Sequence, residues 1–186
     1  MPEESDNELM LSVKRGELEK MALLFERHHC ALYRFLFHMT HHRELSEDMV
    51  QNTFYRMLKY RNTFTGNGEF KTWMYHLARN VLKDDWKKSK TSRREYDLTE
   101  FAEKMEGGFL ADEALQKSQD LNLLMKAIKK LNAVDREILV LSRFQQLKYH
   151  EIALVVNLTE GAVKTRVHRA INELRNIYLK NGSYEL

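Results

Sequence analysis

The sequence predicts an all-α protein of two small helical domains joined by a flexible linker, and three observations carry that expectation. Apolar residues recur at helical intervals in nearly every patterned segment, with no strand-like alternation and no internal repeat. The only proline is Pro2, so no helix interior is interrupted by one. Between two patterned halves, residues 91–112 lose their period and include Gly107-Gly108, as a linker does. The expected division is a first domain over 1–92, a linker over 93–112 and a second domain over 113–186.

The elements follow in order. A helix is expected from Leu18 to Thr40, with Leu24, Leu32, Leu36 and Met39 at helical spacing. Ser46 then opens a second helix in the form S-E-D-M, where Glu47 and Asp48 favour the positive end of the helix dipole. That helix runs towards Tyr60, and RNTFTGNGE (Arg61–Glu69), with Gly66 and Gly68, is a loop. The next helix starts at Phe70 and fades in the basic run near Lys90. After the linker, helical spacing resumes from Ala111 through Leu115, Leu121, Leu124 and Ile128. Three more helices are expected over Asp135–Phe144, Tyr149–Val156 and Glu160–Leu179.

The helix from Phe70 has an unusual outer face. Advancing about 100° per residue places Phe70, Met74, Leu77 and Val81 on one core stripe. Thr72, Tyr75, His76, Arg79, Lys83, Trp86 and Lys87 fall on the other, which is expected to be wet. Flat aromatics among cations suit a partner that is both anionic and flat, such as an unstacked nucleobase on a phosphate chain. They suit equally a solvated cationic face on which Trp86 covers a small secondary core.

The chain's net charge of only +3 does not itself argue for a nucleic-acid partner, but the distribution does. Residues 83–94 carry +4 and residues 160–180 carry +3, flanking −6 over residues 95–120. An acidic tether of this kind would keep the two basic blocks from sharing one anion. The single cysteine, Cys30, excludes an internal disulfide framework and fits a reducing cytoplasm. No apolar run approaches a membrane span, and the acidic MPEESDNELM lacks the layout of a signal peptide. A cytoplasmic protein with no direct membrane insertion is expected.

The run YHEIALVVNLTEGAVKTRVHRAINELR has the shape of a helix-turn-helix. Asn157 suits a left-handed helix end, and Thr159 an N-cap. On the second helix Val163, Val167, Ala170, Ile171 and Leu174 share the inner stripe. Gly161, Thr165, His168, Arg169 and Asn172 lie opposite, with Lys164, Arg166 and Arg175 on the flanks. Such a helix can enter a major groove, or it can be a plain amphipathic hairpin with a solvated face.

Taken together, the two blocks resemble a known family. SEDMVQNTFYRMLKYRNTFTGNGEFKTWMYHLARNVLKD resembles the second conserved region of bacterial extracytoplasmic-function (ECF) sigma factors. KAIKKLNAVDREILVLSRFQQLKYHEIALVVNLTEGAVKTRVHRAINELR resembles their fourth. The resemblance runs from about Leu24 to Leu179 and implies a dissociable subunit that binds core RNA polymerase, selects promoters and helps open the DNA. Its D-x-V-Q-x-T-F pattern implies that Asp48, Gln51 and Asn52, with Tyr55 on the same helix face, grip the clamp coiled coil of core polymerase. The loop Asn62–Glu69 resembles the segment that captures a flipped base of the minus-ten element. Phe64 and Asn80 are then expected at its pocket, with Thr72, Trp73, Tyr75, Arg79 and Lys83 along the strand path and Asn67 and Lys71 among the minus-ten contacts. Phe64 could equally anchor the loop, and Trp73 borders the core.

The family's G-T-V-K-S-R pattern matches Gly161-Ala162-Val163-Lys164-Thr165-Arg166. With His168 and Arg169, Gly161, Lys164, Thr165 and Arg166 are the residues expected on the minus-thirty-five element. The chain departs from the pattern at Asn157 and Thr159 in the turn, at Ser142, and at His168. The resemblance also implies contact with the polymerase flap and an anti-sigma factor that holds the protein inactive, often at the membrane.

Other chemistries find little support. His28, His29, Cys30, His38, His41 and His42 could suggest a metal sensor, but no CxxC or HExxH spacing occurs. No Ser–His–Asp set, phosphate-binding glycine loop or paired carboxylates stand out, so no enzymatic activity, metal or other cofactor is expected. The alternative is a helix-turn-helix regulator with a ligand- or metal-sensing N-terminal domain, which would bind its operator without polymerase.

Overall fold

The computed structural model describes residues 4–91 and 123–182, and every regular element among them is helical. The expected linker lies almost wholly outside the described residues, as does the expected helical start from Ala111.

The first helix, α1 (Asp6–Arg15), was not among the expected elements. Ser5 caps it reciprocally: its hydroxyl accepts the Glu8 amide, and its own amide donates to Glu8 Oε2 at 2.7 Å. Gly16 ends it at φ 113°, a left-handed position suited to glycine. Helix α2 (Lys20–Thr40) follows and stops at His41, also left-handed at φ 54°.

Helix α3 (Arg43–Lys59) begins three residues before Ser46, because His42 Nδ1 accepts the Leu45 amide and serves as the cap. Ser46 is buried one turn inside, where its hydroxyl donates to the His42 carbonyl at 2.6 Å and pairs with Thr40 Oγ1. It ties the α2–α3 corner rather than opening the helix. A 3₁₀ turn over Arg61–Thr63 leads through the loop to α4 (Phe70–Thr91).

Beyond the undescribed segment, residues 123–130 form α5, followed by α6 (Ala133–Arg143), α7 (Tyr149–Val156) and α8 (Glu160–Gly182). Asn157 adopts φ 58° and Thr159 Oγ1 accepts the Ala162 amide, as the turn chemistry predicts.

Helices α1–α4 bury Leu24, Leu32, Phe35, Met57, Phe70 and Met74 together. That cluster continues into Ile138, Val140, Leu141 and Ile152 of α6 and α7. A smaller cluster of Leu131, Leu139 and Ala170 joins α6 to α8. Contacts of α4 with α7 and of α2 with α6 bring the two helical groups together.

Candidate nucleic-acid interface

Helix α3 separates its residues cleanly. Met49, Val50, Thr53, Phe54 and Met57 are buried, while Asp48, Gln51, Asn52 and Tyr55 are exposed along the outer face. Tyr55 is 63% exposed, large for an aromatic ring, and stands on that polar face.

At the far end of α3 an open cleft of about 740 Å³ lies against α4. Asn80, expected at the base pocket, and Trp73 and Lys83, expected along the strand path, line it. So do Arg56, Tyr60, Thr63, His76 and Lys87. Arg56, Tyr60 and Thr63 were missed as site residues, because they stand on a different helix and the following turn, and only folding brings them opposite α4. Arg56 pairs with Asp84 at 2.9 Å and also donates to Asn52 Oδ1. Burial, helped by Lys83 and Arg79, lowers the pKa of His76 and favours its neutral form. A second recess of about 210 Å³ runs past Phe64, Gly68, Thr72 and Trp73 to Leu154. Asn67 and Lys71 are exposed beside it.

One expectation for an exposed aromatic needs correction, and one alternative is decided. Tyr75 is 2% exposed, not on a wet face. Its ring meets Phe35 edge-on at 5.2 Å, and its hydroxyl donates to Gln145 Oε1 at 2.7 Å. Burial raises the phenol pKa, keeping it protonated as a donor. The wheel assumed one buried stripe, whereas α4 is covered on a second side by the segment around α6 and α7. Phe64, also 2% exposed, packs against Trp73 at 5.2 Å and Phe70 at 6.3 Å, so it anchors the loop. Trp73 is half-buried in the same aromatic group.

Two cations are likewise engaged within the protein. Arg79 Nε donates to Glu137 Oε1 at 2.7 Å with both side chains largely buried. Burial raises the Glu137 pKa, and Arg79 opposes that rise. Arg166 donates to Asp135 Oδ1 at 2.8 Å, and Asp135 is 1% exposed. The same carboxylate accepts from Asn132, which caps α6. Gly161, Lys164, Thr165, His168 and Arg169 stand exposed on α8 around its buried Val163, Val167 and Ala170 stripe.

The histidines weighed as metal ligands have other surroundings. His28 Nε2 meets Asp6 Oδ2 at 2.6 Å, His29 stacks on Phe25, and His38 packs against Phe144. Among the described residues, no group of three or more His, Cys, Asp or Glu is placed to hold a metal ion. No helix among them is long and apolar enough to cross a membrane.

Against this geometry, the family models for Sigma-70 region 2 and Sigma-70, region 4 match residues 24–92 and 121–174. The chain belongs to the sigma-70 family of transcription initiation factors. Its curated relatives place it more narrowly. The ECF RNA polymerase sigma factor SigX of Bacillus subtilis is 28% identical over 163 residues, covering 84% of this chain and 82% of SigX. SigW of the same organism is 28% identical over 170 residues, covering 88% and 91%. The solved complex of the sigma factor RpoE with the anti-sigma factor NepR from Bartonella quintana shares the fold. Its TM-score is 0.69 at 22% identity, covering 87% of this chain and 96% of that one. Within its family the chain is of the ECF type, whose work is to direct RNA polymerase to promoters.

Proposed function

We propose that the chain binds core RNA polymerase through the outer face of α3, captures the opened minus-ten strand at the α3–α4 cleft and reads duplex minus-thirty-five DNA with α8. The cleft carries this reading: Tyr60 and Trp73 stand among Arg56, Lys83 and Lys87, pairing stacking surfaces with phosphate-binding charge. Base stacking on an aromatic side chain returns about 1–3 kcal/mol, comparable to the few kcal/mol that flipping a base costs. Asn67, Lys71, Thr72 and Asn80 would meet the strand from the loop and α4. Phe64 would shape the pocket from below rather than stack. Tyr75 and Arg79 would join the strand only after their Gln145 and Glu137 contacts open.

On α8, Arg169 and His168 would face base edges, Lys164 and Thr165 the phosphates, and Gly161 would allow close approach of the helix start. Asp48, Gln51, Asn52 and Tyr55 would meet the clamp coiled coil of core polymerase, and the second helical group its flap. The protein would act in the cytoplasm without catalytic activity or cofactor of its own. An anti-sigma factor, like the one bound to RpoE, would cover these surfaces and could hold the protein at the membrane.

The test is transcription in vitro with bacterial core polymerase and a genomic promoter pool, with permanganate footprinting of the complexes. Promoter-dependent transcripts and reactive thymines near the start site are expected. Binding of defined operators without polymerase, and no transcripts with it, would replace this reading with a ligand-sensing regulator.

A further inference from the structure

Helix α1 lies along the loop in a regular register. Asn7, Leu11 and Lys14 are four and three residues apart and so occupy one helix face. Along the opposing chain, the same face meets residues 68, 66 and 64 in turn. Asn7 Nδ2 donates to the Gly68 carbonyl at 2.9 Å, while its Oδ1 accepts the Phe70 amide at 2.8 Å. Gly66, at φ 78°, lies so close to Leu11 that a Cβ there would stand 3.2 Å from Leu11 Cδ1. Lys14 Nζ donates to the Phe64 carbonyl at 2.7 Å. The rest of α1 is fixed by Leu9, Met10 and Val13, each wholly buried, and by the Asp6–His28 contact.

We infer that α1 is a positioning element for promoter-base selection: Asn7, Leu11 and Lys14 hold the loop in the one shape that forms its base pocket. The inference rests on the proposed capture of a minus-ten base by this loop. Loops with free backbone groups sample many shapes, and selectivity between bases needs donors and acceptors held to a fraction of an ångström. Three spaced attachments to a rigid helix supply that restraint. Because Asn7 also satisfies the first amide of α4, it sets the loop's exit and the start of the strand-binding helix together.

The experiment uses holoenzyme reconstituted from core polymerase and the full chain, on promoters that differ only in the base captured by the loop. Its readout is the ratio of open-complex formation among the four bases. Lys14→Met and Asn7→Asp, the latter keeping the acceptor for Phe70 while losing the donor to Gly68, should each reduce that ratio about tenfold, roughly 1.4 kcal/mol. Core capture and minus-thirty-five duplex binding should stay at the wild-type level, and Lys14→Arg should restore the ratio. Full selectivity in both loss variants, with a selective wild type, overturns the role of α1 while leaving the sigma-factor reading intact. A wild type that opens no promoter removes that reading and this inference with it. Hydrogen exchange on the unmodified chain gives an answer independent of variant folding. The Phe70 amide, whose acceptor is Asn7 Oδ1, should exchange together with α1, and a Phe70 amide that exchanges freely beside a protected α1 overturns the inference.

Discussion

Arg166 and Arg169 sit three residues apart on α8 yet do different work. Arg166 neutralises a carboxylate that is 1% exposed, so Arg166→Ala strands a buried charge. It should lower unfolding stability by about 3 kcal/mol in a urea titration, and any loss of DNA binding will follow from that. Arg169 is exposed, so Arg169→Ala should leave the urea midpoint unchanged. It should weaken minus-thirty-five duplex binding by about 1–3 kcal/mol in a polarisation assay. Asp48→Ala with Gln51→Ala should likewise preserve stability and reduce capture of core polymerase in a pull-down. The exposed residues of α3 and α8 were legible in the sequence because each helix there has one buried stripe. The motif and its flank position on α8 both point Arg166 to DNA, and nothing local to α8 indicates that Asp135, thirty-one residues earlier, holds it.

Among the elements, α1 and α4 show where a one-helix view stops. S-D-N-E before L-M-L-S-V, with Gly16 beyond, is a legible capping box and stop signal, but the segment reads first as an acidic stretch. For α4, the stripe through Phe70, Met74, Leu77 and Val81 is buried as its spacing indicates. Tyr75 on the other side is buried too, its ring against Phe35 and its hydroxyl on Gln145, seventy positions away. The corner between α2 and α6 adds a pH response. His38 and His41 are both pushed down to about 4, chiefly by burial and then by Arg136. Lys129 adds to the effect on His41, and Arg136 donates to His41 Nε2, which fits a neutral ring. Between pH 6.5 and 4 the unfolded chain therefore binds more protons than the folded one. Stability should be full above that window and fall as pH drops through it, by on the order of 1–2 kcal/mol at pH 5 for His38 alone. Urea midpoints measured from pH 7.5 to 5 check this, and His38→Leu should flatten the decline.

At the scale of the molecule, the two helical groups meet through a continuous apolar cluster and through polar ties that include Tyr75–Gln145, Arg79–Glu137 and Arg136–His41. The first two occupy residues expected on the promoter strand, Tyr75 and Arg79. Removing these two with Glu137→Ala and Gln145→Ala should raise the radius of gyration in solution scattering. The same change should tighten binding of a single-stranded minus-ten oligonucleotide. Unchanged scattering would mean that the apolar cluster and the Arg136–His41 contact hold the groups together without these two ties.

The seventy-residue gap between Tyr75 and Gln145 also shapes how the protein is born. At synthesis rates of about 5–20 residues per second, the ribosome needs roughly 4–14 seconds to traverse it. For that interval the emerging first half carries an uncovered sticky flank around α4, and such surface attracts aggregation or a chaperone. Stretches of slow codons between these positions would lengthen the exposure, so the messenger's decoding speed becomes one of the conditions under which this protein stays intact.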